Sequence, residues 1–588
     1  MRKSIHLSSP KRFVMTIGIL VAIFLLMSSC KNREKAFQAP LFENIGDYSM
    51  SVTHRSEDAK QFFDQGMIFT YGFNHGEAAR SFREAIRLDS SFAMAYWGLA
   101  YTLGPNYNAS LDPSNKEEII WAVEKASNLK NTVKDWERLL IEASESKYSF
   151  KSDDVDLEAF AERMRFALEK NPSNSDVGTF YAEALMLQHP WDLYDYKGGP
   201  AKEWTPEIVE VLESTLQSNP DHPLAKHLYI HAMEASDRPH DAADEARALH
   251  KTIIPGAGHL VHMPSHIYIN TGDYHIGTEV NIDAVQADSI YSAQCKAQGA
   301  FPLYYYHNYH FLAACAALEG RGALAIESSF KMTNTIDKSL LAKPGFETTQ
   351  HFMTVPYNVL VKFAQWEKIL ALSRPDVKYP YMVALWHYAR GMAYANMKQL
   401  TKAQEELDAL DRAQTGAGFE DFLIFGINSG QMVIDIAMNV LGAEIARKTN
   451  DVAKAEKLLK QAVNIEDQMT YNEPPDWFFS VRHLLGELYM DMGKFELAEE
   501  AYRYDLINFP KNGFALNGLY HSLKEQERLE EAEKVKTLRN KAWGYADTLL
   551  KYSRVDEKTR TNLVVKIDSK SPSEMVRFAS VYCGILPK

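Results

Sequence analysis

The residues best suited to chemistry in this chain are histidines, and they are unevenly spread. Eleven of the nineteen lie between His222 and His310. Three stand in "GAGHLVHMPSHIYINTGDY", residues 256–274, as His259, His262 and His266. In "LAKHLYIHAMEAS", His227 and His231 are followed by Glu234 in an H-x3-H-x2-E spacing. At about 100° per residue on a helix, these three share a face within roughly 60°. Two imidazoles and a carboxylate so placed suit one divalent transition metal of the Zn, Fe, Cu, Mn or Ni type.

The spacing recurs along the chain. In a unit counted from Pro223, His227 and His231 take the fifth and ninth places, and in one counted from Gly258, His262 and His266 take the same two. In a third, counted from Tyr306, His307 and His310 take the second and fifth. His259 and His351 also fall on second places, and Glu183 on the ninth place of an earlier unit. The candidate ligand set is His227, His231, Glu234, His262, His266, His307 and His310, with Glu183 and Glu234 as candidate bases. Seven groups exceed what one ion needs, so the set allows two metals or partners that orient the ligands. A metal-free anion or small-molecule site, and plain helix packing, stay open as alternatives. Pro264 either kinks its helix or starts one near Met263, leaving His259 and His262 on the entering loop. In "LQHPWDLYDYKGGPAKEWT", residues 187–205, Trp191 and Asp192 are placed to cap the site. HExxH, G-x-S-x-G and phosphate-loop motifs are absent, so the sequence leaves open whether the chain is an enzyme.

The elements that must position these groups are helices. In "AKQFFDQGMIFTYGFNHGEAARSFREAIRLDSSF", Phe62, Gly66, Phe69, Ala78, Phe82 and Ala85 keep a fixed spacing of small and large residues. "FSVRHLLGELYMDMGKFELAEEAYRYDLINFPKN" repeats it with Leu485, Gly486, Tyr489, Gly493, Phe495, Ala498, Tyr502 and Pro510, and Gly391, Tyr394, Ala403 and Leu407 form a further copy. The period is near 34 residues. These copies resemble the tetratricopeptide repeat superfamily. "HLYIHAMEAS", "HLVHMPSHIYINTGDY" and "YYHNYHF" resemble a narrower group of uncharacterised bacterial repeat lipoproteins with a His-rich centre. The resemblance implies an all-α, right-handed α-solenoid of helix-turn-helix repeats. It also implies that the histidine stripe lines a concave groove, and that a protein or peptide partner is the default ligand. The expected function is therefore a His/Glu-lined groove holding a divalent metal for metal handling or metal-dependent activity. The alternative is a metal-free interaction scaffold.

The chain has 588 residues and a formal net charge of −13, which argues against nucleic acid as a partner. Arg2, Lys3, Lys11 and Arg12 precede the apolar run "FVMTIGILVAIFLLM" and then "SSC", which reads as a signal segment over 1–29. "LLMSSC" resembles a bacterial lipobox, which implies lipidation of Cys30 and a cell-envelope location; an uncleaved anchor helix is the alternative. Cys295, Cys315 and Cys583 form no CxxC pair and predict buried thiols. The expected organisation is a tether over 30–57 and N-terminal repeats with an irregular helical insertion over 58–172. Central His-rich repeats over 173–375, C-terminal repeats over 376–545 and a tail over 546–588 complete it.

Overall fold

The computed structural model describes residues 39–42, 45–149, 155–251, 257–294, 301–415 and 418–555. The signal segment, Cys30, Cys295, Cys583 and most of the tail lie outside the described residues. The chain divides into two units between Leu41 and Phe42, and every described helix belongs to the second.

That unit is an all-α solenoid of helix-turn-helix pairs. Helix Glu57–Tyr71 packs on His75–Leu88, which packs on Ala93–Leu103, and so on to Gly513–Glu525 and Leu529–Ala542. Among the described residues the sheet is confined to a hairpin pairing Leu423 with Ser429 and Ile424 with Asn428. The small and large repeat positions explain the packing. A Cβ on Gly66 would sit 2.7 Å from the Phe82 ring, and one on Gly98 2.5 Å from it. Phe82 thus fills the space that glycines on two neighbouring helices leave open. Tyr502 does the same between Gly486 and Gly518. Side chains satisfy the exposed N–H groups at several helix starts: Ser56 accepts from Ala59 N, Asn174 from Val177 N and Asn512 from Ala515 N.

The region 111–172 holds helices Lys116–Leu129, Asp135–Lys147 and Leu157–Lys170. The first packs on Ala93–Leu103, and the other two pack on each other, so the alternation of packed helices continues through it. After helix Leu529–Ala542 the chain turns back. Ser553 Oγ donates to the His483 carbonyl at 2.6 Å, and Arg554 pairs with Glu444 and Glu487. This return ties the last repeats to earlier ones.

Candidate metal centre

Helix Pro223–Met233 carries His227 and His231, with Glu234 as its C-terminal cap residue. The stretch bearing His259, His262 and His266 forms a one-turn helix, Gly258–His262, and then Pro264–Thr271, with Pro264 at the start of the second. Proline has no N–H to lose at that position, so the break costs no hydrogen bond. His259 and His262 therefore reach the centre from a short helix of their own. Helix Phe301–Leu318 supplies His307 and His310.

Six imidazoles meet. Ring centroids are 4.9 Å apart for His227 and His231, 5.1 Å for His227 and His259, and 5.7 Å for His259 and His262. They are 4.9 Å apart for His262 and His266 and again for His262 and His307, while His231 and His266 close the circle at 5.5 Å. Two trios, His227–His231–His259 and His262–His266–His307, each bring one ligand atom per residue within 4.8 Å of the others. Glu234, His266 and Glu473 form a third such group.

The two nitrogens of each ring have different surroundings. His227 Nδ1 donates to the Tyr71 carbonyl at 2.6 Å, and His231 Nδ1 to Glu234 Oε1 at 2.9 Å. His262 Nδ1 donates to Asn281 Oδ1 at 2.7 Å; the Asn281 amide is held in that orientation because its Nδ2 donates to the Gly277 carbonyl. His266 Nδ1 faces Glu473 Oε2 at 3.0 Å and the second oxygen of Glu234. With Nδ1 so engaged, Nε2 carries the lone pair in each ring that is neutral. The Nε2 atoms of His227 and His231 are buried with no hydrogen-bond partner, as are both nitrogens of His259 and Nδ1 of His307. Each orphaned buried group costs about 1–3 kcal/mol. The His262 and His266 Nε2 atoms face one another at 3.0 Å. Two lone pairs at that distance repel, and either a proton on one ring or a cation shared by both relieves it. Cis ligands of one metal, with bonds of about 2.0–2.1 Å, have a similar separation of about 2.9–3.4 Å.

The electrostatics follow from burial. Loss of solvent holds His227, His259, His262 and His307 well below the usual imidazole range. Burial opposes charge on His266 too, but Glu234 and Glu473 outweigh it and hold that ring up at about 9. Burial pushes Glu234 up, yet His266 and His231 prevail and hold it at about 2. The walls are aromatic. Phe73 lies 4.5 Å from His227, Tyr304 4.4 Å from His259, and Phe311 4.6 Å from both His262 and His266.

The structure corrects the expected open groove. His227 and His262 are fully buried and His259 is 4% exposed, so the stripe lies inside the fold. Tyr107 and Trp191 from two loops cover His231, at 5.2 and 5.6 Å, and the 470–481 segment covers His266 through Glu473. His310 stands apart from the six: it stacks on Phe478 at 5.0 Å and lies 6.1 Å from His351, whose Nδ1 meets Tyr381 Oη at 2.9 Å. Glu183 is buried with one oxygen unpartnered, and burial pushes it up to about 8. Other clustered histidines do local work: His222 caps a helix by accepting from Ala225 N, and His275 meets Glu319. Sequence spacing missed Glu473, Asn281, Phe73 and the Tyr71 carbonyl. Glu473 lies 207 residues from His266 in "YNEPPDW", where its only local mark is an acid between an asparagine and two prolines.

Among solved structures, a human IFIT1 dimer with m7Gppp-AAAA is 13% identical, with 83% of this chain and 90% of that one covered at a TM-score of 0.31. Yeast Tom70 is 14% identical, with 82% and 97% covered at 0.31. The chain in the Cut9–Hcn1 hetero-tetramer of APC/C is 11% identical, with 89% and 76% covered at 0.29. No curated protein matches the chain. Residues 479–503 match the tetratricopeptide repeat family, so the sequence pattern of that repeat is present where the helices Arg482–Asp491 and Phe495–Asn508 pack together.

Proposed function

We propose that the six clustered imidazoles bind divalent transition metal, in two neighbouring trios: His227, His231 and His259, and His262, His266 and His307. The supporting observation is the ring orientation. Four of the six have Nδ1 committed to an oxygen acceptor, with Nε2 unpartnered in His227 and His231 and turned toward the other ring in His262 and His266, the pattern in which outer partners fix the tautomer and aim of ligating histidines. Glu234 and Glu473 then act as orienting acceptors. Three imidazoles per ion leave an open position, which suits metal-dependent activity as well as metal handling. Imidazole donors suit Zn, Fe, Cu and Ni. The test is metal per chain in the purified protein, measured by elemental analysis, beside His231→Ala and His266→Ala. Stoichiometric metal that disappears in the variants supports the centre. Metal-free wild-type protein that also fails to take up added Zn2+, Co2+ or Fe2+ would falsify it.

A second reading has its own support. The repeat at 479–503 belongs to a class whose default work is binding a protein or peptide. Under that reading the wild-type chain holds no stoichiometric metal, and the same variants keep partner binding. We also infer a lipid anchor at Cys30 and a place in the bacterial cell envelope, on the strength of the apolar run and "LLMSSC". Loss of fatty-acid labelling in Cys30→Ala checks this.

A further inference from the structure

A second constellation, buried at His483 and Asp505 and half-buried at Lys362, lies away from the histidine centre, in the repeat around 479–503. Helix Thr348–Lys362 ends on Lys362, whose Nζ lies 2.6 Å from His483 Nδ1. His483 Nε2 donates to Asp505 Oδ2 at 2.9 Å, and Asn512 Nδ2 donates to the same oxygen at 2.9 Å. The His483–Asp505 bond fixes the tautomer: Nδ1 keeps the lone pair and accepts from the lysine. Helix Thr348–Lys362 and the consecutive helices Arg482–Asp491 and Phe495–Asn508 thus build an amine–imidazole–carboxylate line. Its amine and imidazole line a cavity of about 60 Å3, with Tyr388, Trp477, Phe479 and Ser480 among the walls.

Loss of solvent favours the neutral amine, against the pull of the neighbouring ring faces on an ammonium. The Lys362 Nζ sits 3.7 Å from the Phe514 ring centre and 5.3 Å from that of Phe479. Burial pushes Lys362 down to about 7, although Asp505 pulls the other way. A lysine desolvated against aromatic rings, with a base on its proton, is an activated nucleophile. Arg554 also lines the cavity, but Glu444 at 3.0 Å and Glu487 at 3.2 Å already neutralise it. The cavity therefore offers no free cation to an anionic ligand.

We propose that Lys362 binds a small uncharged aldehyde or ketone covalently, as an imine, with His483 as the proton carrier and Asp505 as the group that positions it. The Lys362 Nζ adds to the carbonyl carbon. One N–H proton passes through His483 Nδ1 to the former carbonyl oxygen, giving the carbinolamine, and the second passes the same way to its hydroxyl, which leaves as water. The products are the C=N bond and one water, and no oxidant or further reactant is needed.

The test uses the full chain with propanal or acetone and sodium cyanoborohydride at pH 7, followed by peptide mass mapping. The expected result is reduced adduct on Lys362 ahead of lysines such as Lys534, whose side chain is 70% exposed. His483→Gln should slow adduct formation at Lys362 by about 100-fold or more while leaving the exposed lysines unchanged. Lys362→Arg should remove that adduct, with its thermal melt as a check on folding. Labelling that follows exposure, with Lys362 unmodified in the wild-type chain, overturns the proposal whatever the variants do. So does His483→Gln protein that labels as fast as wild type. Pyruvate and glyoxylate should label Lys362 more slowly than the uncharged carbonyls, and the reverse order overturns the ligand class.

Discussion

Replacing Glu473 by glutamine separates the roles that a carboxylate can play at the histidine centre. Glu473 Oε2 lies 3.0 Å from His266 Nδ1, and its other oxygen accepts from Asn270 Nδ2. Glutamine keeps an amide oxygen at nearly the same place, so the ring stays aimed while the negative charge goes. Glu234 shares the same Nδ1 and remains. Removing an outer partner of a ligating histidine typically costs about 10–100-fold in metal affinity. With one of two carboxylates left, Glu473→Gln should fall at the low end, about tenfold or about 1.4 kcal/mol. Glu234→Gln together with Glu473→Gln should approach about 100-fold, because Glu234 also orients His231. The assay is competition for Zn2+ against a chromophoric chelator, with Co2+ absorption reporting the ligand field. An unchanged Kd in both variants refutes the orienting role. A loss in Glu473→Gln as complete as in His266→Ala refutes it in the other direction, since it makes the carboxylate itself a ligand, as the grouping of Glu234, His266 and Glu473 permits.

Three further outcomes rest on packing and charge. Gly258→Ala places a Cβ against the Asp288 carboxylate, which Asn308 Nδ2 holds at 2.6 Å; the short helix bearing His259 and His262 must shift, so metal per chain should fall although no ligand is touched. Gly486→Ala drives a Cβ into the Tyr502 ring and should cost about 1–3 kcal/mol, read as a lower urea midpoint, and an unchanged midpoint rejects the wedge. Burial pushes Glu444 up, but Arg554 and Arg447 outweigh it and hold its carboxyl well below the usual range. A depressed carboxyl stabilises the fold above its unfolded value and loses that contribution as the pH falls through its folded value. Glu444→Gln should therefore cost about 3–5 kcal/mol near neutral pH, and the gap to wild type should narrow below about 4.5, the ordinary glutamate value; a gap independent of pH rejects the ion pair as its origin.

The repeat period, the helical class and most of the imidazoles at the centre were legible in the sequence, because each is a local property. Gly66 with Phe82, or Gly486 with Tyr502, must recur at helical spacing for adjacent helices to pack, and that spacing is written in the chain. The fifth and ninth places of neighbouring units share a face for the same reason, which is why His227, His231, His262 and His266 meet. Only the tertiary structure decided what surrounds them. Loops carrying Tyr107 and Trp191 close over the stripe, and Glu473 arrives from 207 residues away. Whether a ring nitrogen is free depends on the acceptor its other nitrogen finds, and those acceptors include a carbonyl 156 residues from His227. Local spacing fixes the face on which a side chain sits, while its partners come from whichever distant segments the fold brings against that face.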